Sequence, residues 1–324
     1  MSPSKQVRVS IPVPSSVPVP AIARTVRRLA GMRSSLGFPF ARPTWPGGVP
    51  RPPVENTLGA EYDTSWARSP AARVGRALVL DGVVKPAVGF VASPTVTGLD
   101  RIDGLERPVI FSSNHASHLD TPLLLTSLPE RFRHRTVVAA AADYFFDRRV
   151  KAMASALALA AIPIERTAVS RRSLHRAEDL LNDGWNLVIF AEGGRTPDGW
   201  GQEFKAGAAF LATRCHVPVV PVHLEGSRRV WRKGGQLHRA TTHVTFGSPL
   251  MPGDSLADAR ALAVAIEEAV SVLADERATD WWSARRRAAA GTTPSLRGPA
   301  AAPWRRAWEL REGERRTSSP RWPS

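Results

Sequence analysis

The sequence predicts an α/β fold: a single layered domain on a central mixed sheet flanked by helices, preceded by amphipathic helices and carrying basic disordered tails. Three observations predict it. Short β-rich apolar runs alternate with helix-period segments through the middle of the chain. Two of those runs end in compact groups of ionisable residues and glycines. The 324-residue chain also spreads its net charge of +15 unevenly, with +8 over residues 1–53, +6 over 276–324 and +1 between them.

Taken in order, residues 1–60 read as a disordered basic arm, because eleven prolines precede Val54 and residues 1–53 hold no acid. Residues 69–93 read as one or two amphipathic helices broken at Pro86. The layered domain follows over 94–275. Its strand-like runs are 108–113, 136–140, 161–164, 187–191, 217–224 and 242–247. Its helix-like runs are 121–128, 148–159, 170–183, 205–214 and 256–275. Ser255 and Asp258 form a capping-box start to the last helix, whose stripe of Leu262, Ile266, Val270 and Leu273 is core packing. Over 276–324 a basic Trp/Arg-rich tail sets Trp281, Trp282, Trp304, Trp308 and Trp322 beside Arg285, Arg286, Arg287, Arg305 and Arg306. That mixture suits a membrane interface, and packing of Trp281 and Trp282 on the domain competes equally.

Several classes are disfavoured. The most apolar stretch, Ala77 to Val96, is interrupted by Asp81, Lys85, Pro86 and Pro94, whereas a span needs about 20 mostly apolar residues. Prolines 12, 14, 18 and 20 break any secretory-signal core. The single cysteine, Cys215, fits a reducing cytoplasm and reads as a filler thiol. No nucleic-acid motif is visible, so the basic ends point to an anionic membrane surface. The expected location is cytoplasmic, peripheral on the inner face of the cell membrane.

The richest stretch runs from Asn114 through His115, Ala116, Ser117, His118 and Leu119 to Asp120, just beyond the apolar run Val109-Ile110-Phe111. Ligands of open α/β sheets bind beyond the carboxyl ends of strands. A His there can take a proton near neutral pH, and an Asp can fix its tautomer. On one straight helix, residues five apart diverge by about 140°. His115 and Asp120 therefore meet only if a turn separates strand from helix, with Asp120 or Thr121 capping and Pro122 first in the helix. A second strand end repeats the pattern: Leu187 to Ala191, then Glu192, Gly193, Gly194 and Arg195, with Lys205 shortly after. Glycines permit close backbone approach and Arg suits phosphate.

These blocks resemble the glycerolipid acyltransferase family, typified by 1-acylglycerol-3-phosphate acyltransferase. Asn114-His115 with Asp120 resembles the first block, and the strand 161–164 leading to Arg166 the second. Phe190-Ala191-Glu192-Gly193-Gly194-Arg195-Thr196, continuing to Phe204-Lys205-Ala206-Gly207, resembles the third. Val217-Pro218-Val219-Val220-Pro221-Val222 resembles the fourth. Ala191 stands where the family commonly has Pro, and Gly194 where it has Thr; the latter removes a hydroxyl that could meet substrate. The resemblance implies that 94–275 is a catalytic domain transferring an acyl group to a lysophospholipid-type acceptor. His115 would be the base and Asp120 its partner. Asn114, Arg166, Glu192, Gly193, Gly194, Arg195 and Lys205 would bind substrate. It implies no cofactor and no metal, with acyl-CoA or acyl carrier protein as co-substrate.

Other readings remain at this stage. A serine hydrolase using Ser117 lacks a G-x-S-x-G elbow. A metal hydrolase could draw ligands from His115, His118 and Asp120. A non-catalytic lipid binder would keep the basic arms but has no use for His115 beside Asp120.

Overall fold

The computed structural model describes residues 58–165, 171–196, 198–231, 236–306 and 308. Nearly all of the basic arm, Arg166 and the chain from 309 onward lie outside them.

Seven strands form one mixed sheet: β1 (Pro94–Thr97), β2 (Ile110–Ser113), β3 (Thr136–Ala141), β4 (Ala161–Ile164), β5 (Asn186–Phe190), β6 (Val219–Glu225) and β7 (Thr242–Phe246). Their order is β1-β7-β6-β2-β5-β3-β4, parallel throughout except for the antiparallel β6–β7 pair. The central strand, β2, is buried along its whole length. Its register sets Ser113 beside Phe190 of β5 and Val222 of β6, so the carboxyl ends of β2 and β5 lie side by side.

The two-residue period of the strands divides the core. Ile110, Leu187 and Val219 pack on one face with Leu180, Leu211, Ile266 and Val270. The next residue along each strand (Phe111, Val188 and Val220) packs on the other face with Val88, Leu123, Leu124 and Phe246. Phe111 meets Phe132 and Phe246 edge-on, with centroids 5.6 and 6.3 Å away. The apolar runs shared by the central strands are what burial of both faces requires.

The principal helices are α1 (Pro70–Val79), α2 (Lys85–Ala92), α3 (Asp120–Ser127), α4 (Arg149–Leu159), α5 (Arg171–Asn182), α6 (Gly207–Cys215), α7 (Leu256–Ala278) and α8 (Trp281–Ala289). Ser69 caps α1 by accepting the Ala72 amide, and the Ser255–Asp258 capping box starts α7. The expected break at Pro86 does not occur. A π-helical turn (Leu80–Val84) joins α1 to α2, and its wider winding accommodates the proline without ending the helix. Among the described residues no helix is long and apolar enough to cross a membrane.

Two further departures concern boundaries. β1 lies outside every strand-like run read from the sequence: it is a four-residue edge strand with alternating burial and no apolar run. The layered structure also passes 275. α8 packs on α7, with Arg287 bonded to both oxygens of Asp275 at 2.7 Å. The following segment crosses the domain surface. Leu296 accepts the Gly201 amide at 2.7 Å, Arg297 holds Glu267 through two bonds of 2.7 and 2.8 Å, and Arg306 pairs with Asp198 at 3.1 Å. Trp281 and Trp282 nevertheless point outward, 52% and 63% exposed, so core packing does not account for them.

Candidate active site

His115 stands two residues beyond β2, in a turn that returns the chain to α3. The turn brings the pair together: His115 Nδ1 lies 2.9 Å from Asp120 Oδ2. The same oxygen accepts the amides of Ala116 and Ser117 at 2.6 and 2.7 Å. Three donors on one carboxylate oxygen, in the first turn of a helix, offset the cost of burying this charge. Asp120 opens α3 rather than capping it. The cap position is Leu119 and Pro122 falls in the first turn, so the expected cap is displaced by the carboxylate's work inside the turn.

The turn is fastened on both sides. Asn114 bonds the Leu224 backbone twice, donating to its carbonyl at 2.9 Å and accepting its amide at 2.8 Å, which ties the turn to β6. Glu192, at the end of β5, accepts the His115 amide at 2.9 Å and the Gln202 amide at 3.1 Å. Both residues were expected to bind substrate. In the structure their polar atoms bond to backbone, and those bonds hold the turn that carries His115. Burial pushes the Glu192 carboxyl up to about 7, against the opposing pull of those two amide bonds.

Phe190 stacks on the His115 ring with centroids 4.1 Å apart and planes 22° from parallel. With Nδ1 directed to Asp120, Nε2 is the ring nitrogen left for chemistry. His115 borders a cavity of about 1300 Å³ of empty space, open mouth included. Apolar side chains from β3, β4, β5, α5 and α6 line much of it, among them Val138, Ala140, Ile164, Leu174, Ile189 and Leu211. Gly193, Gly194, Arg195, Lys205 and Tyr144 line it as well. Gly193 has φ +69, a conformation that favours glycine, and a Cβ there would fall 2.8 Å from the end of the Lys205 side chain, which lies over the turn. Gly194 faces open space. The Arg195 guanidinium lies 5.8 Å from the Tyr144 ring centroid. Arg166 lies outside the described residues.

Two other sequence readings lose ground. The Ser117 hydroxyl is buried and donates to the Trp231 carbonyl at 2.6 Å, away from the His115 ring nitrogens. His118 sits among aromatic rings, 5.8 Å from Tyr144 and 5.3 Å from Trp231. Burial, then the Arg195 charge, pushes its pKa below the usual histidine value. Among the described residues no three His, Cys, Asp or Glu side chains gather as a metal set. Sequence reasoning missed Phe190 and Tyr144 as site residues. The available signal was an aromatic at or just beyond the carboxyl end of a strand, in Phe190 after Ile189 and in Tyr144-Phe145-Phe146 after β3.

An open α/β sheet with a partly buried His beside a buried Asp and a flanking Gly-Gly-Arg turn at its carboxyl edge is an arrangement able to support acid–base chemistry next to an anion. Comparison with known proteins places it further. Residues 93–225 match the acyltransferase family model. The chain is 29% identical over 161 residues to the chloroplastic 1-acyl-sn-glycerol-3-phosphate acyltransferase of Brassica napus, covering 48% of this chain and 44% of that protein. It is also 29% identical over 161 residues to the Arabidopsis thaliana chloroplastic enzyme of the same activity, covering 48% and 43% respectively. The chain thus spans less than half the length of these relatives. The crystal structure of the 1-acyl-sn-glycerophosphate acyltransferase from Thermotoga maritima shares the fold, with a TM-score of 0.50, 23% identity, and coverage of 66% of this chain and 83% of that one.

Proposed function

We propose that the chain transfers an acyl group from an acyl thioester, carried on coenzyme A or acyl carrier protein, to the free hydroxyl of 1-acylglycerol-3-phosphate, giving phosphatidic acid. The observation that carries this reading is the His115–Asp120 pair at the border of a largely apolar cavity. The acceptor hydroxyl oxygen bonds to the thioester carbon while His115 Nε2 takes its proton. The tetrahedral intermediate then expels the thiol as the carbon–sulfur bond breaks, and His115 returns the proton to that sulfur. Asp120 holds the tautomer and stabilises the imidazolium between those two transfers. Positioned acid–base catalysis of this kind contributes typically ~10²–10⁴-fold.

The cavity's apolar walls suit an acyl chain, and Arg195 with Lys205 suits the acceptor phosphate. Arg166 joins them in this reading on the family motif alone. The thioester supplies the activation, so the reaction requires no cofactor or metal. The acceptor follows the activity for which the relatives are named. The enzyme would work as a peripheral protein on the inner, cytoplasmic face of an anionic membrane, drawn there by its basic ends.

The test is a panel of lysophospholipid and other alcohol acceptors offered to purified protein with radiolabelled acyl-CoA or acyl carrier protein, together with intact-mass measurement after donor alone. The expected result is labelled phosphatidic acid from the monoester acceptor and no acylated protein. Labelled product from a different acceptor only would overturn the substrate assignment. An acyl adduct on Ser117 or Cys215 would overturn direct transfer.

A further inference from the structure

At the opposite edge of the sheet, where strands begin, the structure gathers five arginines with only two acids, Asp63 and Asp183, in reach. Arg135 directly precedes β3, and Trp185 directly precedes β5. The guanidiniums of Arg73, on α1, and Arg135 lie 5.6 and 5.7 Å from the centroid of the Trp185 ring. Arg76 lies one turn along α1 from Arg73 and is 3% exposed, and Arg68 and Arg176 lie within electrostatic reach of the group. Among the described residues none of these five arginines forms an ion pair. The nearby Asp63 carboxylate is engaged by Ser65 through two bonds of 2.8 Å. Asp183, the other acid in reach, meets Arg135 through its backbone carbonyl at 3.2 Å.

Their donors are only partly used. Arg76 Nη1 donates to the Ala67 carbonyl at 2.9 Å, while its Nη2 is buried without a partner. The Nε groups of Arg73 and Arg135 are likewise buried without partners. Buried charged donors with no acceptor are among the costliest arrangements a fold can keep, and a bound anion is a standard reason for keeping them. Burial and the neighbouring charges of Arg73 and Arg68 lower the Arg76 pKa to about 10, the direction expected where cations are crowded without a counter-charge.

We propose that Arg73 and Arg135 beside the Trp185 ring, with the neighbouring Arg68 and Arg76, form a binding site for a phosphate-type oxyanion at the amino-terminal edge of the sheet. The site is separate from the cavity at His115 by the length of β5, roughly 17 Å for five residues. Guanidinium forks arriving from α1, the turn before it and the residue before β3 can each offer paired donors to a phosphate-type anion with several acceptor oxygens. Beside Arg73 on the same helix, Val74 and Leu78 are 62% and 70% exposed, which suits the phosphate of a lipid as well as a free phosphate.

The experiment follows the melting temperature of the full chain with inorganic phosphate against chloride of equal ionic strength, and the excess of its sedimentation with phosphatidylcholine vesicles containing phosphatidate over vesicles of equal charge containing phosphatidylserine, at salt high enough to release the basic ends. Three proteins are compared: wild type, Arg195→Gln to remove the anion contact at the cavity, and Arg73→Gln/Arg135→Gln. Arg68→Gln replaces the double variant if the latter fails to fold. The expected result is a saturable response in wild type and Arg195→Gln, weakened about tenfold or more in the edge variant. A response to inorganic phosphate identifies a free-anion site, and a response to phosphatidate vesicles alone identifies a lipid phosphate. No response to either, or a response lost in Arg195→Gln, or one unchanged in the edge variant, overturns the proposal. A failure here leaves the assigned acyl transfer untouched, because that is read from labelled product.

Discussion

His115 owes its place to backbone bonds as much as to Asp120. Glu192 joins the turn after β2 to the loop at Gln202, and its burial makes stability depend on pH. Its carboxyl rises from an ordinary 4.5 to about 7 in the fold, so below 4.5 it is protonated in both states and costs nothing. Between those values the unfolded chain releases the proton first, and folding stability falls as pH rises. The loss is complete above 7 and amounts to about 3 kcal/mol at most. Glu192→Gln removes this titration. The melting temperature of wild type, measured against that variant, should fall steadily from pH 4.5 to 7, and a flat difference would contradict it. The meeting of His115 and Asp120 was legible in the sequence, because residues five apart converge there only through a turn between strand and helix, and so was the strand-end position of Gly193 and Arg195. The backbone bonds of Asn114 and Glu192 were not legible, for a physical reason. A polar group at a strand end announces a need for partners, but only the folded backbone shows that Leu224, His115 and Gln202 supply them.

Among the elements, buried strands and long amphipathic helices were legible because their periodicity is imposed by the core they share. β1 was not, since an edge strand of Pro94, Thr95, Val96 and Thr97 carries no apolar run. Nor was the segment after α8. Its Arg and Trp content matches a solvated tail, and its attachment rests on single contacts: Leu296 to Gly201, Arg297 to Glu267, and the Arg306 carbonyl to the Trp200 indole at 2.9 Å. Glu267 also accepts the Phe204 amide at 3.2 Å, so this strap holds the loop that supplies Gln202 to Glu192. Arg297 is half-exposed, and its ion pair contributes under about 1 kcal/mol to global stability. Its effect is therefore local. Arg297→Ala should leave the melting temperature nearly unchanged while hydrogen exchange quickens at the amides of Gln202 and Phe204. Exchange that quickens equally throughout β2 would contradict a local role.

Over the whole molecule, charge is divided from chemistry. The near-neutral middle carries the site, and the excess cations lie in residues 1–53 and 276–324. Attraction of such cations to anionic lipid is screened within ~8 Å at physiological salt. The full chain should sediment with anionic vesicles at low salt and be released as salt rises, and a chain lacking residues 1–53 should bind less; salt-independent binding would contradict the electrostatic account. The α/β class and mixed sheet were legible at this scale because alternating buried strands and helices admit few layer arrangements. The cavity was not, because its walls are small and apolar residues from five elements that are far apart in sequence. The central claim is that His115 accepts the acceptor's proton during direct transfer. Its most direct test is the rate of phosphatidic acid formation from an acyl thioester and 1-acylglycerol-3-phosphate by His115→Ala beside wild type and His118→Ala. The expected result is a loss of ~10²–10⁴-fold for His115→Ala with acceptor binding retained, and most of the rate kept by His118→Ala. Near-wild-type turnover by His115→Ala, or equal loss at both positions, would contradict it.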